Sequence, residues 1–265
     1  MNDIEFERRG GVAVIVLSRP ERLNAVTPGL VEELHAALDE LATDTELRVV
    51  VLTGAGRGFC AGMDIQGDPG SVASPEGRPQ RIYRGIARGG EVVARLREIP
   101  QPVIAALHGP VAGMGISLAL ACDLRIADPT TKFVFPFLSI GLSGGDLGLS
   151  WLLPRMVGPG RAAELLYRSR TLTAEQADEL GMLTEICPAG ADLDGALRLA
   201  DELLGASPYG LRHTKELLNL SLDAPGLRSH LAAENRTQAL AFFTEDFAEG
   251  IAARLEKRPP EFRNR

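Results

Sequence analysis

Two hydrophobic patterns alternate along this chain. Residues 12–17, Val-Ala-Val-Ile-Val-Leu, are apolar at every position, as expected of a strand buried on both faces, and the run stops at Ser18-Arg19-Pro20. From Thr27 the period becomes helical: Leu30, Leu34, Leu38 and Leu41 share one face, Thr27 is placed as the N-cap, and Pro28 takes the first helical position. The plan then repeats. Residues 48–53 read as a second buried strand, 54–62 as a glycine-rich turn, and Ile82, Ile86, Val93 and Leu96 as one face of a helix ending before Pro100. The intervening segment 66–80, rich in Pro, Gly and Ser, reads as a mobile loop. Residues 102–107 form a third strand, 108–113 a second glycine-rich turn, 114–121 a short apolar helix and 124–127 a further strand.

Strand, glycine turn and helix thus recur at roughly 50-residue spacing, which predicts an α/β core of similar units. From about Pro159 the pattern turns helical. Thr173-Ala174-Glu175-Gln176 is a capping box followed by Gly181, Ser207-Pro208 opens another helix, and Ala224-Pro225-Gly226 separates it from the next. The last helix starts near Thr244-Glu245-Asp246, with acids in its first turn, and Pro259-Pro260 ends it. We expect a core over residues 1–200 and a helical region over 201–265. The apolar faces of that region exceed what a small appendage buries internally, so packing on another subunit is expected.

Composition narrows the function. The 265 residues carry a formal net charge of −7 and 5% aromatic residues, which argues against a nucleic-acid surface. No run approaches the length of a membrane span, and the start lacks the pattern of a secretory signal, so no membrane association and a cytoplasmic location are expected. Cys60, Cys122 and Cys187 are too widely spaced for a CxxC metal site and are odd in number, so neither a metal site nor a disulfide framework is expected.

The two glycine turns are the places where chemistry is expected. Each follows a buried strand, and the second leads straight into a helix, where backbone N–H groups lack intrahelical partners and sit at the positive end of the dipole. Such groups stabilise a developing oxyanion; equally, the glycines serve close strand-to-helix packing. A dinucleotide-binding G-x-G-x-x-G would need Gly where Phe59 stands.

Several ordered motifs together resemble the enoyl-CoA hydratase/isomerase (crotonase) family. They are residues 18–25 (Ser-Arg-Pro-Glu-Arg-Leu-Asn-Ala), 50–64, 102–106 with His108-Gly109-Pro110, 118–127 (Leu-Ala-Leu-Ala-Cys-Asp-Leu-Arg-Ile-Ala), 151–155 (Trp-Leu-Leu-Pro-Arg) and 244–247 (Thr-Glu-Asp-Phe). The resemblance covers nearly the whole chain. It implies a spiral of ββα units with a C-terminal helical trimerisation region, a homotrimer or hexamer, an acyl-CoA thioester as ligand, and no metal or redox cofactor. Carried over residue by residue, the oxyanion-hole amides fall on Met63 and Met114. Substrate is then expected along Ala25, Ala61, Gly62, Asp64, Ile65, Gly113, Ser117 and Phe137, with Arg22 and Lys257 as candidates for the CoA phosphates. Two amides on the thioester oxygen stabilise enolate charge, and one such donor is worth several kcal/mol.

The departures from the family pattern are as informative. A hydratase of this family uses two glutamates; here those positions read Ser117 and Phe137. Adding water to a double bond needs a base and an acid, and neither residue supplies a carboxylate. Asp146, in Gly144-Gly145-Asp146-Leu147-Gly148, resembles the Asp-x-Gly of the family's isomerases and is the candidate proton shuttle. It also reads as a plain N-terminal helix acid. Isomerisation of an enoyl- or dienoyl-CoA is the expected reaction. A hydratase or lyase with other acid/base groups, a non-catalytic acyl-CoA binder, and a hydrolase built on Ser117 are the alternatives, the last because Gly115-Ile116-Ser117-Leu118-Ala119 approaches G-x-S-x-G. His35, His108, His213, His230 and Cys60 have structural explanations.

Overall fold

The computed structural model describes residues 2–64 and 77–265. Its strands are β1 (Ile4–Arg9), β2 (Val12–Leu17), β3 (Val49–Gly54), β4 (Val103–Leu107), β5 (Pro110–Ala112), β6 (Leu124–Ala127), β7 (Lys132–Val134), β8 (Thr171–Thr173) and β9 (Glu185–Ile186). Its helices are α1 (Pro28–Thr43), α2 (Arg78–Glu98), α3 (Met114–Ala121), α4 (Leu149–Val157), α5 (Pro159–Tyr167), α6 (Ala174–Glu179), α7 (Asp192–Leu204), α8 (Pro208–Ser221), α9 (Leu227–Ala241) and α10 (Glu245–Glu256).

The larger sheet runs β1-β2-β3-β4-β6-β9, antiparallel at β1–β2 and parallel thereafter. Alternation explains why its central strands are apolar throughout. Val12, Val14, Val49, Val51, Ile104 and Ala106 point to one face, where Ala196 and Ala200 of α7 cover them. Ala13, Ile15, Leu17, Val50, Leu52 and Ala105 point to the other and join the apolar stripes of α1, α2 and α3. A small sheet β5-β7-β8 lies beside it, β5–β7 parallel and β7–β8 antiparallel.

Local signals end the elements as their residues dictate. Thr27 Oγ1 accepts the Leu30 N–H at 3.0 Å, and the Thr173–Gln176 capping box is formed in both directions. Of the segment expected to be a mobile loop, residues 78–80 are instead the first turn of α2, opened by Pro79; residues 66–76 lie outside the described residues.

The helix α3 carries one amide of interest at its start and is held firmly at its end. The buried Arg125 donates through Nη1 to the Cys122 carbonyl at 2.6 Å and through Nε to the Met182 carbonyl at 2.5 Å. A cation on the last carbonyls complements the helix dipole. At the C-terminal end of α2 the Lys215 ammonium donates to the carbonyls of Leu96 and Gln101, each at 2.8 Å, and pairs with Asp123 at 3.0 Å, which fastens α8 to the core. No helix among the described residues is long and apolar enough to cross a membrane.

Candidate active site

The segment after β2 positions the first glycine turn. Leu23 and Asn24 both adopt positive φ, 50° and 56°, a conformation Asn tolerates better than most residues. The Asn24 side chain is fully buried. Its Nδ2 donates to the carbonyls of Ala55 at 2.9 Å, Gly58 at 2.8 Å and Phe59 at 3.2 Å, and its Oδ1 accepts the Arg19 N–H at 2.9 Å. One side chain therefore satisfies the inward carbonyls of a turn that has no ladder of its own.

The turn then runs against the second one. Cys60 N–H donates to the Pro110 carbonyl at 3.1 Å, and Ala112 N–H to the Cys60 carbonyl at 2.9 Å. Two residues on, Val26 N–H donates to the Gly62 carbonyl at 2.8 Å and Asp64 N–H to the Val26 carbonyl at 2.9 Å. In this parallel bridge the groups flanking Met63 face Val26, so the N–H of Met63 itself faces the opposite way. Met114 opens α3 after Gly113, whose φ of 50° and ψ of −121° suit glycine alone. Among the described residues neither the Met63 nor the Met114 N–H finds an acceptor in the protein.

Both methionines line one cavity of about 520 Å³ together with Arg22, Ala25, Ala61, Gly62, Asp64, Gly113, Phe137 and Asp146. Two of the sequence-identified residues that the structure describes are not in its lining. Ser117 is fully buried behind the cavity and donates its hydroxyl to the Asp146 carbonyl at 3.2 Å, so it supports the Asp146 turn rather than facing a ligand. Lys257 caps the C-terminal end of α10 and is not among the lining residues. Ile65 lies outside the described residues. A concavity of about 730 Å³ between the end of α2 and helices α8 and α9 contains no residue of either glycine turn.

The charges of the cavity are divided. Asp64 is paired with Arg19 at 3.1 Å and Arg22 at 3.0 Å, and Arg19 also donates to the Ala25 carbonyl. Asp146 differs. Its carboxylate is half-buried and has no hydrogen bond or ion pair among the described residues, and desolvation holds its pKa above the ordinary carboxylate range. The helix-acid explanation loses its footing, because α4 starts at Leu149 after a Gly148 cap and has no acid in its first turn. Between Asp146 and that cap, Leu147 is held at a φ of 44° with its side chain against Gly89 and Gly90 of α2. A bulky residue in this region is strained by about 1–3 kcal/mol.

The remaining candidates are structural. Burial pushes the Cys60 thiol up to about 12, which leaves no reactive thiolate. His108 Nδ1 is 2.9 Å from Asp192 at the start of α7, and His35 bridges the Arg88 carbonyl and Arg95. His213 and His230 pair with glutamates on their own helices. Among the described residues no group of three His, Cys, Asp or Glu side chains is arranged to hold a metal ion. Sequence reasoning assigned no role to Asn24, Arg19 or Leu147. An Asn in a short loop after a buried strand was a usable signal for the first; the other two depend on packing.

Comparison with known proteins agrees with this geometry. The family model for enoyl-CoA hydratase/isomerase matches residues 7–265. A probable enoyl-CoA hydratase of Mycobacterium tuberculosis strain H37Rv is 39% identical over 257 residues, covering 96% of this chain and 90% of its own. The 1,2-epoxyphenylacetyl-CoA isomerase of Escherichia coli K12 is 39% identical over 256 residues, covering 95% of each. The crystal structure of a probable enoyl-CoA hydratase/isomerase from Mycobacterium abscessus superposes with a TM-score of 0.90 at 35% identity, covering 99% of both chains. The two amide-bearing turns thus sit in a crotonase fold, and the chain belongs to the enoyl-CoA hydratase/isomerase family.

Proposed function

We propose that this enzyme isomerises the double bond of an enoyl- or dienoyl-CoA thioester, with Asp146 as the only proton carrier. The observation that carries the proposal is the Asp146 carboxylate: half-buried, without a hydrogen-bond or ion-pair partner among the described residues, and in the same cavity as Met63 and Met114, whose amides find no acceptor among those residues either. Moving a β,γ double bond to the α,β position needs one base. The carboxylate takes a proton from the α-carbon, the electron pair delocalises onto the thioester oxygen between the Met63 and Met114 amides, and the same carboxyl returns the proton to the γ-carbon. A raised pKa suits both halves of this exchange.

Hydration needs a second acid/base group. At the two positions where hydratases of the family carry glutamates, Ser117 is committed to a backbone carbonyl and Phe137 offers no proton. A hydratase or lyase reading remains the second one, because several relatives are named as hydratases, including a 2,3-dehydroadipyl-CoA hydratase of Escherichia coli at 33% identity. Assaying 3-enoyl-CoA isomerisation beside crotonyl-CoA hydration separates them: the proposal expects the first and not the second.

We read the Asp146 carboxyl, the oxyanion amides and the bound thioester as the complete chemistry, with no metal or redox cofactor, and place the enzyme in the cytoplasm. Residues 201–265 are read as the assembly region of a homotrimer or hexamer. Supporting this are the exposed apolar side chains of α8, α9 and the segments around α10, among them Leu218, Leu227, Phe243 and Leu255. In such an assembly Lys257 is available to the CoA phosphates of a neighbouring subunit. Light scattering measures the state directly.

A further inference from the structure

The cavity lining is of two chemical kinds. Apart from Asp146, its charged residues are Glu21, Arg22, Arg57 and Asp64, with Arg22 and Asp64 paired at 3.0 Å, and we take them as one end. Val134, Pro136, Phe137, Ile140 and Leu142 come from the end of β7 and the segment after it, folded on itself by the Ile140 and Leu142 N–H groups donating to the Phe137 carbonyl at 3.2 and 2.8 Å, and we take them, with Asp146, as the other. Phosphates cannot be desolvated against five apolar side chains, so the nucleotide part of a CoA thioester belongs at the charged end. With the thioester oxygen on the Met63 and Met114 amides, the acyl group is left with the apolar end.

That end contains no cation and no side-chain hydrogen-bond donor among the described residues. Asp146, its one ionisable group among the described residues, has no counter-charge among them to share. A second carboxylate brought against the buried Phe137 would lose hydration without gaining a partner and would stand near a like charge, Asp146, and both effects oppose its binding.

We infer that the acyl pocket selects uncharged acyl groups and rejects chains ending in a carboxylate, with Phe137, Ile140 and Leu142 as the specificity-determining residues. The inference rests on the acyl-CoA reading of the site but not on the isomerase one, because it concerns binding. Hexanoyl-CoA and adipyl-CoA have the same chain length and differ only in the terminal carboxylate. Titrated onto the full-length protein, hexanoyl-CoA is expected to bind about 100-fold more tightly. Adipyl-CoA binding within about threefold of hexanoyl-CoA would overturn the inference.

A variant tests the assignment of the pocket end. Leu142 is 58% exposed, so Leu142→Arg places a cation at the mouth without burying it. It is expected to improve adipyl-CoA binding about tenfold while leaving hexanoyl-CoA weaker or unchanged. An unaltered ratio in this folded variant would contradict the placement of the acyl group. Absence of binding by both thioesters to the wild-type protein would overturn the acyl-CoA reading itself, an outcome distinct from equal binding.

Discussion

Gly62 and Gly113 lie back to back where the two glycine turns meet: a Cβ on Gly62 would stand 3.0 Å from the Ala112 carbonyl oxygen and 3.4 Å from the Gly113 Cα. Both residues hold positive φ, 93° and 50°. A side chain at either one is strained by its backbone conformation, and one on Gly62 also crowds the Ala112 carbonyl; relief of that strain moves the amides of Met63 and Met114 relative to each other. Gly113→Ala is expected to lower kcat by about 100-fold or more while the protein stays folded. Steady-state kinetics with circular dichroism checks this; unchanged kcat would show that the spacing of the two amides does not matter.

Asn24 organises the same region from behind. Asn24→Ala leaves the buried carbonyls of Gly58 and Phe59 without this donor and puts Ala at a φ of 56°. The expected loss is about 3 kcal/mol in urea unfolding, well above the effect of a surface substitution. Because the first turn carries Met63, the variant should also lose turnover at temperatures where it is still folded.

The His108–Asp192 pair gives stability a pH dependence. The hydrogen bond to Asp192 raises the His108 pKa, outweighing desolvation. A histidine whose folded pKa exceeds its unfolded value of about 6.5 contributes stability that is fully present below that value and is lost as pH rises through the folded pKa. Unfolding free energy measured from pH 6 upward should therefore decline, and Asp192→Asn should flatten the decline. An identical slope in the variant would remove His108 as its source.

Much of the fold is legible in the sequence because its signals are local. The all-apolar run 12–17, the Thr27-Pro28 start and the bounds of α3 and β6 coincide with the structure, since burial on two faces, capping and glycine placement act within a few residues. The strand β1 is not legible: Glu5, Glu7, Arg8 and Arg9 make it look like a polar tail, and it is a strand only because β2 offers it an antiparallel edge. Strands β5, β7, β8 and β9 are two or three residues long, too short to show a period. At the site, the two amide turns announce themselves by their glycines, whereas the roles of Ser117 and Leu147 depend on which side chains meet across elements that are far apart in sequence. Ser117 reads as a pocket residue until the structure turns it toward the Asp146 carbonyl.

Asp146 makes opposite contributions to stability and to catalysis in this account. Its raised pKa means that ionisation is disfavoured in the folded state, so stability present below the unfolded pKa is lost as pH rises through the folded one. Asp146→Asn, which cannot ionise, should therefore raise Tm at neutral pH. A lowered Tm would mean that the carboxylate has a stabilising partner.

The most direct measurement is the rate of 3-enoyl-CoA isomerisation by wild-type protein and by Asp146→Asn, with thioester binding determined on the same samples. The account predicts turnover by the wild type, a loss of about 1000-fold or more in the variant, and thioester affinity within about threefold of wild type. Turnover by the variant at the wild-type rate would contradict it, because the proton would then be moved without a carboxylate at position 146.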